Sequence, residues 1–194
     1  MSRLLLVRHG ETERSASGRH TGRTDVPLTA RGEAEARGLR RSLAAYRPVH
    51  AFVSPRLRAR RTAELAGVRQ ARTLDDLAEW DYGDYEGLTR DEIREIDPEW
   101  TVWTGVSPGG ESMAAVVARA QRVLATVVPL LADGDVLLVS HGHFSRVLAT
   151  SRLDLPLSAA AVLLVATASL CVLGEDRGQP VIVHWNLPNP VDAG

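Results

Sequence analysis

The order of apolar and amphipathic segments predicts an α/β fold with a mostly parallel central sheet flanked by helices on both faces. Two continuous apolar runs, residues 4–7 and 136–139, have the length and composition of buried strands. Shorter apolar runs occur at residues 51–53, 170–173 and 181–185, and segments with helical periodicity lie between most of these runs. Strands that alternate with helices are typical of parallel sheets with helices on both faces.

The N-terminal segments follow this alternation after one irregular stretch. The first strand is predicted over residues 3–8. Residues 11–26 have no periodicity and are rich in serine, glycine, threonine and charge, so they are predicted to be loop. Thr29 has the position of an N-cap for the first helix, whose inner face includes Leu39 and Leu43.

The middle of the chain alternates in the same way. A short strand is predicted at residues 51–53 and a helix at residues 56–66, with a further strand near residues 69–74. An acidic and aromatic stretch follows. Thr89 and the glutamate three residues later have the spacing of a capping box, which begins a short helix that ends before Pro98.

The C-terminal part contains the second apolar strand and a pair of late strands. A long amphipathic helix is predicted from Glu111 to about residue 131, and the apolar strand covers residues 136–140. A helix at residues 144–152 follows, and the late strands cover residues 170–173 and 181–185. With no repeat and no low-complexity linker, we predict one domain over residues 1–194.

Composition excludes several classes of function. A formal net charge of −1 argues against a general nucleic-acid-binding protein, which needs a basic excess. No window approaches the roughly 20 apolar residues of a membrane span, and the single cysteine, Cys171, lies in an apolar run. We therefore expect a cytoplasmic protein without membrane partners. The sequence leaves the oligomeric state open, with a homodimer as the commonest assembly.

The two apolar strands each end in a histidine followed by a glycine. His9-Gly10 follows the first strand, and His141-Gly142 follows the second. In an open α/β sheet, ligands bind at the carboxyl ends of the strands. If these two strands are neighbours, both imidazoles lie at the same edge of the sheet.

Two arginines are placed to join the histidines. Arg8 immediately precedes His9, and Arg58 lies at the start of a predicted helix, whose N-terminal amides favour anions. Guanidinium groups bind phosphate and carboxylate through paired hydrogen bonds. Two arginines and two histidines without nearby cysteines or carboxylates predict a site for a dianion rather than a metal.

Five separated motifs resemble those of the histidine phosphatase superfamily, the phosphoglycerate-mutase-like proteins. They are, in chain order, Arg-His-Gly-Glu-Thr at residues 8–12, the following loop at 21–29, Ser-Pro-Arg-Leu-Arg-Ala-Arg-Arg-Thr-Ala at 54–63, the glutamate and glycine motif at 77–87, and Ser-His-Gly at 140–142. The resemblance covers residues 4–150. It implies the fold of that family and, within the family, it is nearest to bacterial acid phosphatases and sedoheptulose-1,7-bisphosphatase-like members.

The resemblance implies five catalytic residues and no cofactor. His9 is expected to attack phosphorus and form a phosphohistidine, while Arg8, Arg58 and His141 hold the phosphoryl oxygens. Glu79 is expected to protonate the leaving alkoxide and then to activate water. No metal is expected, because the arginines and histidines supply the positive charge.

A second set is expected to bind the substrate. Ser15 occupies a position where many mutases of the family have an asparagine that contacts phosphate, and Thr21 and Gly22 belong to the loop after the signature. Gly142 is expected to offer backbone donors. His143 forms His-x-His with the second histidine, but no third metal ligand is in view, so we expect it to line the pocket wall. The roles of His20, Trp100 and Trp103, as core or as a lid, are left open.

The leading hypothesis is a metal-independent phosphomonoesterase of the acid phosphatase type, which acts on small phosphorylated metabolites such as sugar phosphates. Cofactor-dependent mutases are longer between Glu79 and His141, where they have extra basic residues. Here that interval contains Arg90, Arg94, Arg119 and Arg122, and the last two lie in the long amphipathic helix, where they are expected to be solvated charges. The alternatives are a phosphoglycerate mutase and, from another class, a phosphoprotein phosphatase or a module that binds phosphorylated ligands.

Overall fold

A computed structural model describes residues 2–188 of the chain. The residues of the predicted single domain that precede and follow this range, 1 and 189–194, lie outside the described residues. The strands and α-helices, in chain order, are β1 (Leu4–Arg8), α1 (Glu13–Ala16), α2 (Ala30–Ala44), β2 (His50–Val53), α3 (Leu57–Leu65), β3 (Arg72–Thr73), α4 (Arg90–Ile96), α5 (Met113–Val127), β4 (Val136–Ser140), α6 (Gly142–Arg152), β5 (Leu170–Asp176) and β6 (Gln179–Leu187). Short 3₁₀ turns cover Asp75–Leu77, Gly83–Tyr85, Pro129–Ala132 and Leu157–Val162.

The strands form one six-stranded sheet in the order β3-β2-β4-β1-β5-β6. The pairs β3–β2, β2–β4 and β4–β1 are parallel, whereas β5 is antiparallel to both of its neighbours. The predicted α/β fold with a mostly parallel sheet is confirmed. β1 and β4 are neighbours, with Arg8 opposite Ser140, so the two His-Gly sequences leave the sheet side by side.

Helices cover both faces of this sheet, as predicted. Because side chains alternate along a strand, Leu4 and Leu6 of β1 pack into a core with α5 and α6. Leu5 and Val7 pack into a second core with α2 and α3. Thr29 caps α2 by accepting a hydrogen bond from the Gly32 amide, and the predicted inner residues of that helix are buried.

Several predicted boundaries are wrong. The predicted loop at residues 11–26 contains the one-turn helix α1, where Thr12 and Ser15 form a reciprocal capping box. Helix α6 begins at Gly142 rather than at residue 144, so that His141 becomes its N-cap residue. The β5–β6 hairpin is longer than predicted because Arg177 and Gly178 turn the chain with positive φ angles of 51° and 79°.

One described segment contradicts the expectation about apolar windows. Met113–Ala132 is long and apolar enough to cross a membrane by length and composition alone, with a mean hydropathy of 1.5. Core helices of soluble proteins pass the same test. Here Val116, Ala120 and Val123 pack into the core beneath the sheet, and the segment contains two arginines.

Candidate active site

The carboxyl ends of β1 and β4 border a cavity of about 190 Å³. His9 follows β1 directly, and its amide donates to the Ser140 carbonyl at 3.0 Å, which extends the parallel pairing by one residue. His141 follows β4, and its ring centroid lies 5.2 Å from that of His9. The sheet therefore brings together the two histidines that are 132 positions apart in the sequence.

The loop after His9 is held by close backbone packing against the start of α2. A Cβ on Gly10 would lie 2.3 Å from the Gly32 carbonyl oxygen, and a Cβ on Gly32 would lie 2.0 Å from the Glu11 carbonyl oxygen. Both positions therefore require glycine. The Gly10 amide also donates to Thr62 Oγ1 at 3.0 Å, which joins the loop to α3.

His9 is arranged as a neutral nucleophile. Its Nδ1 lies 2.7 Å from the Gly10 carbonyl oxygen, which can only accept, so Nδ1 holds the proton and Nε2 has a free lone pair. Burial and the adjacent Arg58 and Arg8 guanidinium groups hold the pKa of His9 well below 6.5. The imidazole therefore stays deprotonated at Nε2 over most of the physiological range.

His141 is completely buried and is oriented by Ser54, a residue to which sequence analysis gave no role. Ser54 Oγ lies 2.7 Å from His141 Nε2, and the same oxygen accepts the Arg56 amide at 3.3 Å. Among residues 2–188, the Ser54 hydroxyl hydrogen has no other acceptor, so it points at Nε2 and leaves the proton of His141 on Nδ1. That Nδ1 is a buried donor without a protein partner. Burial, followed by Arg58 and His9, lowers the pKa of His141 well below 6.5.

Arg8 and Arg58 are held by backbone carbonyls rather than by carboxylates. Arg8 Nη1 donates to the Val165 carbonyl at 2.7 Å, and the Arg58 terminal nitrogens donate to the Thr24 and Thr21 carbonyls at 2.9 and 2.8 Å. The Nε of each arginine is buried and has no hydrogen-bond partner in the described part of the chain. Burial lowers the pKa of both groups. Neither guanidinium forms an ion pair within residues 2–188, although the nearby Glu79 carboxylate acts against this lowering of the pKa in both arginines.

Glu79 is anchored at the N-terminus of α6. Its Oε1 accepts the amides of Trp80 and Phe144 at 2.9 and 2.8 Å, and its Oε2 accepts the His143 amide at 3.1 Å. The side chain is largely buried and also lines the cavity. These three bonds fix the carboxyl group in the lining that it shares with His9.

Arg119 is buried and supports the backbone at Glu79, so the expectation that Arg119 is a solvated helix charge is wrong. It is 7% exposed and forms an ion pair with Glu111 at 2.7 Å, and its terminal nitrogens donate to the carbonyls of Ala78 and Glu79. Position in the helix did carry a signal of this, because Arg119 lies three residues after Val116 and four before Val123, both of which are buried. Arg122, by contrast, is exposed and pairs with Asp76 at 2.8 Å, as expected of a surface residue.

Four of the five residues predicted to bind substrate line the cavity: Ser15, Thr21, Gly142 and His143. The hydroxyl of Ser15 accepts the Thr12 amide at 2.9 Å, so it is partly engaged in the cap of α1. Of the predicted catalytic residues, Arg8, His9 and Glu79 line the cavity. Arg58 and His141 are almost fully buried and do not belong to the lining.

Gly22 lies outside the cavity lining. Its amide donates to Glu86 Oε2 at 2.8 Å, and its carbonyl accepts from Arg58 at 3.3 Å. A Cβ at this position would lie 2.4 Å from the Trp80 carbonyl oxygen. Gly22 therefore helps to hold Arg58 in place.

A second cavity, of about 610 Å³, adjoins the first, and we call the two the outer and inner chambers. They share the lining residues His20, His143 and Arg146. Trp100 is 1% exposed and belongs to the core, whereas the half-buried Trp103 packs edge-on against His143, with centroids 5.2 Å apart. The two tryptophans whose roles the sequence left open therefore differ. Trp100 is a core residue that also borders the outer chamber, and Trp103 forms part of the wall of that chamber.

Tyr82 joins this wall to the inner chamber. Its hydroxyl lies 2.6 Å from His143 Nδ1, and its ring lies edge-on to His20, with centroids 4.8 Å apart. Burial lowers the pKa of His143 well below 6.5 and raises the pKa of Tyr82 well above 10. The pair is therefore neutral, and Tyr82 donates to a deprotonated Nδ1. Within residues 2–188, no group of three or more histidine, cysteine or acidic side chains is arranged to hold a metal ion.

Comparison with known proteins agrees with this geometry. The model of the histidine phosphatase superfamily (branch 1) matches residues 4–188. An acid phosphatase of Mycobacterium tuberculosis is 45% identical over 99% of this chain and 97% of that protein. Sedoheptulose 1,7-bisphosphatase of Saccharomyces cerevisiae is 36% identical over 74% of this chain and 65% of that protein. A probable phosphoglycerate mutase of Salmonella paratyphi C is 32% identical over 95% of this chain and 90% of that protein.

Solved structures show the same relationship. The crystal structure of an open reading frame of Mycobacterium tuberculosis superimposes with a TM-score of 0.94 at 43% identity, over 97% of this chain and 99% of that one. The chain therefore belongs to the histidine phosphatase superfamily, branch 1, and is a phosphatase of that family.

Proposed function

We propose that this chain is a metal-independent phosphomonoesterase of the acid phosphatase type, which hydrolyses small phosphorylated metabolites, sugar phosphates among them, through a phosphohistidine. The observation that supports this most directly is the state of His9. Its proton is held on Nδ1 and its pKa is lowered well below 6.5, so Nε2 is free to attack. The arginines beside it have buried donors that lack protein partners.

In the first step, His9 Nε2 attacks phosphorus while the bond to the ester oxygen breaks. Negative charge is spread over the three equatorial oxygens of the transferring group. Arg8 and Arg58, with the Nδ1 proton of His141, are placed to stabilise that charge. Glu79, at the N-terminus of α6, gives its proton to the departing alkoxide, so the alcohol leaves neutral.

In the second step, water attacks the phosphohistidine and inorganic phosphate leaves. The Glu79 carboxylate accepts a proton from that water, which restores its protonated form for the next turnover. The N–P bond breaks with its electrons returning to Nε2 of His9. Because the Gly10 carbonyl keeps Nδ1 protonated throughout, the phosphorylated ring is cationic and leaves phosphorus as a neutral imidazole.

Phosphatase activity is preferred to mutase activity because the two arginines of α5 that lie between Glu79 and His141 are engaged elsewhere. Arg119 is buried against Glu111, and Arg122 pairs with Asp76 on the surface. The acid phosphatase relative also matches the chain over its full length at higher identity than the probable mutase.

The test is a panel of phosphoesters assayed for released phosphate in the presence of a chelator. The panel contains p-nitrophenyl phosphate, sugar monophosphates and bisphosphates, 3-phosphoglycerate and a phosphopeptide. We expect chelator-resistant release from the small esters and none from His9→Ala, which should still bind phosphate. Interconversion of 2- and 3-phosphoglycerate without release would favour the mutase, and release from the phosphopeptide alone would favour a phosphoprotein phosphatase.

A further inference from the structure

The inner chamber, of about 190 Å³, is the smaller of the two adjoining cavities and has His9 in its lining. For a substrate whose phosphoryl group lies at His9, the outer chamber is the adjoining space for the remaining atoms. The outer chamber, at about 610 Å³, shares His20, His143 and Arg146 with the inner chamber, so the rest of a substrate extends past these residues.

The outer chamber has cations but no carboxylate. Its charged lining residues are Arg90 and Arg146, and no aspartate or glutamate lines it. Within residues 2–188, neither arginine forms an ion pair, whereas the surface arginines Arg37 and Arg122 pair with nearby acids. Arg146 is half-buried, and its Nε is a buried donor without a partner.

The aromatic wall positions Arg146 at the junction of the chambers. Its guanidinium carbon lies 5.6 Å from the ring centroid of Trp103, over the ring face, which restricts the side chain without neutralising it. The remaining lining is mostly apolar or hydroxylic, with Met113 and Leu157 among its residues. Such a chamber favours a carbon body that has a negative group near its polar end.

Resting on the proposed function, we infer that the outer chamber is a subsite for a second anionic group of the substrate, a phosphate or a carboxylate, bound by Arg146 and Arg90. The substrate class is then a phosphomonoester with two anionic ends. One end reacts at His9, and the other lies in the outer chamber. A charge-assisted hydrogen bond from a partly buried guanidinium to that second anion contributes at least about a tenfold preference.

The experiment compares paired substrates that differ only in the second anion. Fructose 1,6-bisphosphate and fructose 6-phosphate test a phosphate, and 3-phosphoglycerate and glycerol 3-phosphate test a carboxylate. The measured quantity is the ratio of kcat/KM within each pair, for the natural chain, Arg146→Met and Arg90→Met. Arg37→Met is the matched control, since it removes the same charge from an exposed helix position. Arg90 is exposed, so its variant tests the idea without a risk to folding.

We expect the natural chain and Arg37→Met to prefer the second anion by at least about tenfold in one pair, and both subsite variants to lose most of that preference. The pair that shows the effect identifies the second group as phosphate or carboxylate. Equal ratios in all four proteins overturn the inference while leaving the phosphatase proposal intact.

A binding measurement separates failure of the subsite from failure of the reaction. Calorimetric titration of the same sugar phosphates into His9→Ala protein, with and without Arg146→Met, gives the preference without turnover. If no ester is hydrolysed, the proposed function fails, and the dissociation constants still decide the subsite: a preference abolished by Arg146→Met supports it, and an unchanged preference refutes it.

Discussion

Replacing Ser54 by alanine should remove the group that sets the tautomer of His141. The hydroxyl donates to Nε2 at 2.7 Å in a completely buried pair, and this bond keeps the imidazole proton on Nδ1, where no protein acceptor competes for it. In Ser54→Ala, Nε2 faces a methyl group and the proton can move there. His141 would then present a lone pair, instead of a donor, to a phosphoryl oxygen.

The magnitude follows from the two bonds affected. A donor to a charged oxygen contributes about 1.5–3 kcal/mol, so losing it should lower kcat/KM by about 10- to 150-fold. The unpaired buried nitrogen should also reduce the free energy of unfolding by about 1–3 kcal/mol. For a chain of this length, each kcal/mol lowers Tm by about 2–4 °C. The rate effect is therefore separable from folding at 25 °C.

The assay combines kinetics with a direct view of the proton. Rates on p-nitrophenyl phosphate would be measured alongside two-bond ¹H–¹⁵N correlations of the histidine rings, which show which nitrogen is protonated. Ser145→Ala is the matched control, because its hydroxyl in α6 is also buried but has no hydrogen-bond partner among residues 2–188. A Ser54→Ala protein with native kcat/KM, or a natural chain with the proton of His141 on Nε2, would refute the reasoning.

Three further predictions concern other parts of the site. Glu79→Gln should slow alkyl phosphates by about 10²- to 10⁴-fold and p-nitrophenyl phosphate far less, because only a poor leaving group needs the proton; equal losses on both substrates would contradict the acid role. Gly32→Ala should reduce the free energy of unfolding by more than about 3 kcal/mol in denaturant titrations, since its Cβ would lie 2.0 Å from the Glu11 carbonyl oxygen. Native stability in that variant would contradict the close packing. The pKa values of His9 and His141 are lowered well below 6.5 in the folded chain, so the unfolded chain binds more protons than the folded chain as the pH falls below that value. The free energy of unfolding should therefore decrease as the pH drops. Each histidine contributes a slope of at most about 1.4 kcal/mol per pH unit, and His9→Gln should remove one such share; an unchanged slope would show that His9 is not buried in its neutral form.

Sequence predicted the fold well where one local signal decided the structure. Thr29 before an amphipathic segment predicted the start of α2, and the capping box at Thr89 predicted α4. The apolar runs at residues 4–7 and 136–139 predicted the central strands. The one-turn helix α1 was missed for two reasons. Its capping box pairs Thr12 with Ser15 instead of the usual glutamate or glutamine, and the surrounding segment has no apolar periodicity.

Residues that act through buried contacts were the ones that sequence reasoning missed or misplaced. Ser54 belongs to a recognised motif, but nothing in its neighbours in the chain indicates that it meets His141, which is 87 residues away. Arg119 lies on the buried face of α5, but the groups that it contacts are decided only by the packing of that helix against the loop of Glu79. Gly22 belongs to a family motif, yet it lies behind the cavity lining, against Arg58.

The sequence by itself determined the chemistry of this protein, because two histidines and two arginines at strand ends and helix starts define an anion site whatever surrounds them. The tertiary structure decided which nitrogen of each histidine holds its proton, because that depends on the Gly10 carbonyl and on Ser54. It also decided where a substrate extends, because Arg90 and Arg146 come from separate helices and meet only when those helices pack around the outer chamber. Local signals specify residue types and elements, whereas tautomers and subsites depend on contacts between residues far apart in the chain.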